Sequence, residues 1–452
     1  MSTSSGDGVE GGGASRRWPR RRLLGWALGL VPAAAGGGWA AFEWLGRRSA
    51  KGRSEGDPWA DPQLEVIAWL CFAGEQRAAF ALDRLLDSPT PNGPARLLRA
   101  CLSMETGSWK EVQWHLAFPG VAGTPEARLL LALAERQPRA SNWRHAFFAV
   151  WRELGKPDFR KSTLLPPPLE WNIVLADTEA AWKDANEAQR FALVVLYPRM
   201  AESRQEWVLE QVRASSSLPL LLALHEALLS FGAQVPLRQR LLPAVVDRLG
   251  QLAGPSPRTL QLALISFLAG SALKAPLTRH DLEALDKLSA LPEWKQPSSE
   301  QFFLEMRALF EGLLAAPGHH AWSVVSKAQG VFLGMWLMQR AKASQELLSE
   351  DERRWMGRLL WDMGTRLRQQ PSDLELDMGL RLQMRGSELT EHVPSKETSI
   401  AAWMELGRWE DAVKMAAFKR WPLASLQEES CEPRARNELV WMQAFAGKNE
   451  LP

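Results

Sequence analysis

The chain has 452 residues but only one tyrosine, three cysteines and four isoleucines (Ile67, Ile173, Ile265, Ile400). Three cysteines exclude a disulfide scaffold and leave no room for a Cys-rich metal protein. An excess of charge is missing too: 54 Lys and Arg face 52 Asp and Glu, a formal net charge of +2. That removes the basic surplus by which dedicated nucleic-acid binders are recognised. The shortage of Ile and Tyr, both strand formers, stands against 69 Leu and 22 Trp. A chain rich in Leu, Ala, Arg and Glu favours helix throughout. Its length suits two or three domains, or one extended repeat array. The skew toward Trp, Arg, Ala, Gly and Pro matches what a GC-rich gene would give.

Long apolar runs are lacking except for one near the amino terminus. Residues 1–15 are Gly/Ser-rich and read as a disordered tail. Arg16, Arg17, Arg20, Arg21 and Arg22 follow, and then residues 23–45, uncharged but for Glu43. As a helix this stretch would rise roughly 34 Å, enough to cross a hydrocarbon core. Trp26 near one end and Trp39 and Trp44 near the other sit where interfacial aromatic belts occur. Residues 16–48 therefore read as a transmembrane or signal-anchor segment, joined to the body by a linker at 49–58. Pro32 and the small residues 33–38 also fit a cleaved export signal with processing near Ala35 or Ala40. The pairs Arg16-Arg17 and Arg21-Arg22 resemble a twin-arginine signal. A lipoprotein is disfavoured, because the first cysteine is Cys71. The larger basic cluster lies ahead of the apolar run. It favours a single-pass inner-membrane protein with a cytoplasmic amino terminus and a periplasmic body.

From residue 59 onward, apolar-periodic segments of helical length alternate with Gly/Pro/Ser breaks, and no alternating strand hairpin is found. The fold class is all-α. Three successive breaks share a frame: Gly74-Glu75-Gln76, Gly107-Ser108-Trp109 and Ser141-Asn142-Trp143, with Gly74 to Gly107 spanning 33 residues and Trp109 to Trp143 spanning 34. Far downstream, Gly407-Arg408-Trp409-Glu410-Asp411-Ala412 repeats the same Gly-x-Trp-x-x-small pattern. In each unit glycine suits the positive φ that ends a first helix, the aromatic begins the inner face of a second, and the small residue lets the two approach. The pattern resembles the tetratricopeptide repeat family, with Ala100 as the small residue of a first helix and Pro91 as a closing proline. Departures are Gln76 for the aromatic and Ser141 for the turn glycine.

This resemblance implies a helical-hairpin repeat, an α-solenoid, over residues 59–163, and a further hairpin and tail at 397–452. Between them, residues 164–396 read as an irregular helical-repeat region opened by Pro166-Pro167-Pro168. The expected helices there are 170–185, 187–201, 218–231, 237–253, 258–273, 281–289, 299–315, 322–343 and 349–368. In the resembled family the first helix of each unit lines a concave groove that holds a peptide or partner helix. Carried onto this chain, that face comprises Phe72, Met104, Glu105, Arg128 and Glu135.

Candidate chemistry is sparse. His225-Glu226 begins a zinc-protease helix pair, but Leu229 stands where the second histidine belongs. His319-His320 reads as a solvated or capping pair in a turn, with no third ligand nearby. Cys71 and Cys101 read as buried packing residues. Gly11-Gly12-Gly13 follows no strand and makes no phosphate loop. Glu350-Asp351-Glu352 and Glu428-Glu429 fit helix starts or polar loops. Trp109, Trp143 and Trp409 read as packing at repeat turns, and Trp114, Trp151, Trp171, Trp182, Trp336, Trp355 and Trp361 as core. No nucleophile, base and orienting group assemble.

The sequence therefore calls for no catalysis, cofactor, metal, nucleic acid or small-molecule substrate. It leads to a membrane-anchored scaffold or adaptor that binds protein partners through the groove. The rival expectation is an exported soluble helical-repeat protein that binds or processes cell-envelope glycan, with exposed Trp beside paired carboxylates in one cleft.

Overall fold

The computed structural model describes residues 57–446 except 60, 88–91, 137–141, 168–178, 232–234, 255–257, 270–274, 296–297 and 392. The tail, the apolar segment with its three tryptophans and most of the linker lie outside the described residues. So do Pro91, Ser141, Pro168, Trp171 and the start of the helix expected at 170–185. Among the described residues no helix is long and apolar enough to cross a membrane. The fold is all-α: the described residues form helices and loops, with one isolated bridge between Thr259 and Glu293 and no strand among them.

The first part, residues 62–153, is three helical hairpins. They are α1 (Pro62–Phe72) with α2 (Arg77–Leu86), α3 (Gly93–Glu105) with α4 (Trp109–Leu116), and α5 (Pro125–Arg136) with α6 (Trp143–Glu153). Gly74 (φ 74°) and Gly107 (φ 73°) both take the left-handed conformation expected of the turns. Both turns close with the same bonds: Gly74 N to Cys71 O and Glu75 N to Leu70 O, then Gly107 N to Met104 O and Ser108 N to Ser103 O. This is helix-terminating chemistry in which the last carbonyls are satisfied by amides beyond the glycine. Asp61, Asn92 and Asn142 start α1, α3 and α6 by accepting backbone N–H bonds. Ala100 is fully buried, as a small residue between close helices should be.

The central helices are α7 (Glu187–Leu196), α8 (Gln205–Ala214), α9 (Leu218–Leu229), α10 (Pro236–Ala253), α11 (Leu260–Leu268), α12 (Arg279–Ser289), α13 (Ser299–Phe310), α14 (Pro317–Lys327), α15 (Val331–Ser344), α16 (Glu350–Arg368) and α17 (Asp373–Leu389). Pro219, Pro236 and Pro317 stand in first turns, where no N–H is needed. The single helix expected at 322–343 is two helices, because Gly330 adopts φ 72° between α14 and α15. Antiparallel α16 and α17 pack closest, with Gly357 opposite Gly386 and Gly364 opposite Gly379. A Cβ on Gly364 would lie 2.5 Å from the Gly379 carbonyl oxygen, and one on Gly386 2.5 Å from that of Gly357.

The expectation at Gly407 is corrected. The Gly407-x-Trp409 pattern lies inside one continuous helix, α18 (Val393–Met415), and makes no turn. The flanking Glu, Arg, Asp and Ala are good or adequate helix formers, and buried Leu406 fixes the helix on the core. The chain turns instead at Ala417 (φ 45°), through a short 3-10 segment at Phe418–Arg420, into α19 (Ala424–Ala446). Helix α19 bends at Asn437 (φ −158°, ψ 95°), whose side chain accepts from Val440 N and restarts the helix.

Helix α19 contributes to two cores. Cys431 and Ala435 belong to the core made mainly by α1, α7 to α11, α13 and α14. Leu426, Trp441, Met442 and Phe445 belong to the core of α3 to α6. A third core joins α11, α12 and α15 to α17, and a fourth fills the first hairpins.

Candidate functional site: the repeat face and the C-terminal helix

The five groove residues separate into three environments. Phe72 is buried, stacked on Trp69 at 5.9 Å and edge-on to His319 at 5.1 Å. Met104 is buried in the core of the second and third hairpins. Glu105 reaches the start of α19, where its carboxylate accepts from Ser425 N at 3.1 Å and from Ser425 Oγ at 2.6 Å. Arg128 and Glu135, on α5, are exposed. Three of the five thus face the molecule's own interior or its own last helix, and two face solvent.

A chain of carboxylates fastens α19 in place. Its consecutive residues Glu428 and Glu429 reach in different directions. Glu428 accepts from Gly318 N at 3.0 Å, at the start of α14. Glu429 accepts from Trp143 N at 2.8 Å, at the start of α6. Each places negative charge on the positive end of a helix from a different core. Burial raises the pKa of Glu105, Glu428 and Glu429 against the lowering effect of these hydrogen bonds. From the sequence, Glu428-Glu429 reads as a helix start or a polar loop. The dipole chemistry holds, but the helices capped are not the one that carries the pair.

Apolar contacts complete the seat. Phe445 packs edge-on to Phe148 at 3.9 Å and to Trp151 at 6.1 Å. A Cβ on Gly74 would come 3.2 Å from the Cβ of Ala424, so the turn of the first hairpin touches the first residue of α19. Arg420, in the turn before α19, donates to the carbonyls of Phe159, Arg160, Ser162, Leu165 and Pro166 at 2.7 to 3.1 Å. The stretch leading into the proline run is thereby tied to the C-terminal turn.

At the bend of α19 lies a buried charged junction. Glu438 pairs with Arg434 at 2.7 Å, and its N–H donates to Pro371 O at 2.9 Å. The Arg434 guanidinium lies between the rings of Trp322 (4.6 Å) and Trp441 (4.8 Å). Asp373 stands at the start of α17, two residues past Pro371, and burial, then the charge of Glu438, raise its pKa to about 7. Next to it, buried Glu375 pairs with Lys295 at 2.6 Å. Nothing local in the sequence marks these partners; the nearest signal is the unusual density of charged residues beside Trp441.

The other sequence candidates take structural roles. Glu226 accepts from Phe332 N at 3.0 Å and so caps α15, with His225 Nδ1 3.6 Å away. The reading of His319-His320 as a solvated or capping pair is corrected: both lie in the first turn of α14 and pack against Trp69, Phe72 and Phe310. Burial first, with Arg434 and Lys419 nearby, lowers the pKa of His319 to about 4. Burial and His319 lower that of His320 to about 3. Cys71, Cys101 and Cys431 are free and buried, and burial raises the pKa of each, for Cys71 and Cys431 to about 12. Among the described residues no group of three or more His, Cys, Asp or Glu stands where it could hold a metal ion.

Trp151 is buried, as is Trp143. Trp109, Trp182, Trp336, Trp355, Trp361 and Trp409 are half-buried. Trp114 and Trp403 are exposed; the first lies against Arg96 and His115, and the second donates to Asp377 at 2.7 Å. No protein-family model, no curated protein and no solved structure matches the chain.

Proposed function

We propose that this protein is a helical-repeat scaffold or adaptor that holds protein partners beside a membrane, anchored through residues 23–45 and doing no chemistry of its own. The observation that supports the reading is the way the repeat-like hairpins receive α19. Glu105, on a first helix, caps its start, the turn at Gly74 meets its first residue, and Phe148 and Trp151, on the second helix α6, enclose its aromatic end. Such a surface recognises helices by apolar anchors and a charged end. Because α19 already fills much of it, the part left for a partner is the solvent edge of α5, which carries Arg128 and Glu135 with half-buried Leu131 beside them.

The test is chemical cross-linking of the full chain in membranes, followed by identification of what is linked. A partner whose capture is lost on combined reversal of Arg128→Glu and Glu135→Lys, with the circular dichroism spectrum unchanged, supports the reading. Capture that is indifferent to the pair contradicts it. A reporter fused after Pro452 settles on which side of the membrane the body lies.

A further inference from the structure

Helix α18 is held to the protein along one side. Leu406 is buried in the core of the second and third hairpins, and half-buried Ala402, Trp409 and Val413 pack against that core. Roughly opposite stand Glu397, Ala401, Met404 and Arg408, all exposed, Met404 by 56%. Positions four, seven and eleven residues apart fall on one line of a helix, so these four make a strip about 16 Å long. Its middle is apolar, its first residue acidic and its last basic. Lys396 pairs with Glu388 and Lys414 with Glu410, but among the described residues Glu397 and Arg408 pair with no opposite charge. Beside the strip, nothing stands within 4 Å of a Cβ built on Gly407. Trp403, 40% exposed, borders it and is fixed by donating to Asp377 at 2.7 Å.

The strip is its own complement. Counted outward from the peptide bond between Ala402 and Trp403, Ala401 and Met404 are each the second residue, and Glu397 and Arg408 each the sixth. Turning it end over end about that point lays Arg408 on Glu397 and Met404 on Ala401. A two-fold interface needs this property, because it uses one patch on both copies and makes every contact twice.

We propose that α18 pairs antiparallel with α18 of a second copy of this chain, about a two-fold axis between Ala402 and Trp403, with Glu397 of each copy facing Arg408 of the partner subunit.

In this arrangement a large Met404 meets a small Ala401 on each side of the axis, and an ion pair closes each end. The charges also set direction: a parallel pairing in register would place Glu397 on Glu397 and Arg408 on Arg408, which repel. Three turns of helix make a small contact, so the dimer is a weak and reversible one.

Sedimentation velocity of the detergent-solubilised full chain, over roughly 5 to 200 µM, tests this. Wild type is expected to pass from monomer to dimer within that range. Glu397→Arg and Arg408→Glu each turn two attractions into two repulsions, and each is expected to raise the dissociation constant about tenfold. The double exchange Glu397→Arg with Arg408→Glu opposes unlike charges again and is expected to return it to within about twofold of wild type. Both positions are exposed, and circular dichroism checks that the variants fold. A wild-type chain that stays monomeric overturns the proposal and leaves the strip to another occupant. A dimer that ignores both single reversals, or that the double exchange fails to restore, is held elsewhere and overturns it too. If a variant does not fold, wild type in rising salt decides: weaker association supports the ion pairs, and an unchanged constant overturns them. Arg128 and Glu135 are untouched throughout, so failure here and failure of the adaptor reading are seen separately.

Discussion

The Glu105 carboxylate accepts two hydrogen bonds from Ser425, a residue 320 positions away, at 3.1 Å from its N–H and 2.6 Å from its hydroxyl. A repeat face that the sequence offers to an outside ligand is here in contact with the chain's own last helix. The pair acts as a cap supplied across the fold, and removal of a cap typically costs about 1 kcal/mol. Glu105→Ala and Ser425→Ala should each lower unfolding stability by about that amount. Combined, they should lose less than the sum, because either change alone already breaks the contact. Urea denaturation of the two single variants and the double variant checks this, and strict additivity would deny the contact.

Glycines that look alike in the sequence have opposite roles. Gly364 meets the Gly379 carbonyl oxygen where a Cβ would stand, so Gly364→Ala should cost about 1 to 3 kcal/mol through forced separation of α16 and α17. Gly407, in mid-helix with nothing within 4 Å of an added Cβ, should behave the other way. Gly407→Ala is expected to stabilise by about 0.5 to 1 kcal/mol. A clear loss at Gly407 in thermal unfolding would mean that a turn exists there after all.

Exposure separates the aromatic residues. Phe445 is 0% exposed and Phe80 82% exposed. Phe445→Ala should cost about 3 to 5 kcal/mol and Phe80→Ala less than about 0.5 kcal/mol. Comparing the two by denaturant midpoint weighs the seat of α19 against a surface position of similar chemistry.

The thiols give a simple check of burial. Cys71, Cys101 and Cys431 are buried, and their pKa values lie above the ordinary thiol range, so the reactive thiolate form is suppressed. Alkylation of the native chain at pH 8 should label none of the three, and labelling in guanidinium should reach all three. Fast labelling of Cys431 in native conditions would mean that α19 is not seated.

What could be read in the sequence was local. Gly74 and Gly107 were found because a left-handed turn needs glycine at that position and the need is written within three residues. Most helices of the centre follow from apolar period and from prolines in first turns, but α8 and α17 are not among the expected ones. The same local pattern misled at Gly407, where Arg, Glu and Ala sustain a helix and packing of Leu406 decides the outcome. The seven-residue spacing of Gly357 and Gly364, and again of Gly379 and Gly386, is a local trace of the tight α16–α17 pair that a reading by apolar period passes over. The carboxylate caps were not readable: Glu428 to Gly318 spans 110 positions and Glu429 to Trp143 spans 286, distances over which a single sequence carries no pairing signal. Phe72 and Met104 were assigned to an open face because the resemblance places them there. Their burial depends on how the rest of the chain packs around the first hairpins.

The central claim is that α19 lies on the repeat-like hairpins of its own chain. Photo-cross-linking tests it most directly, with p-benzoyl-L-phenylalanine in place of Phe445 and the linked peptides sequenced after digestion of the full chain. The account predicts a link within one chain to the α6 segment that contains Phe148 and Trp151. A link only to another chain, or to no part of α6, would contradict it.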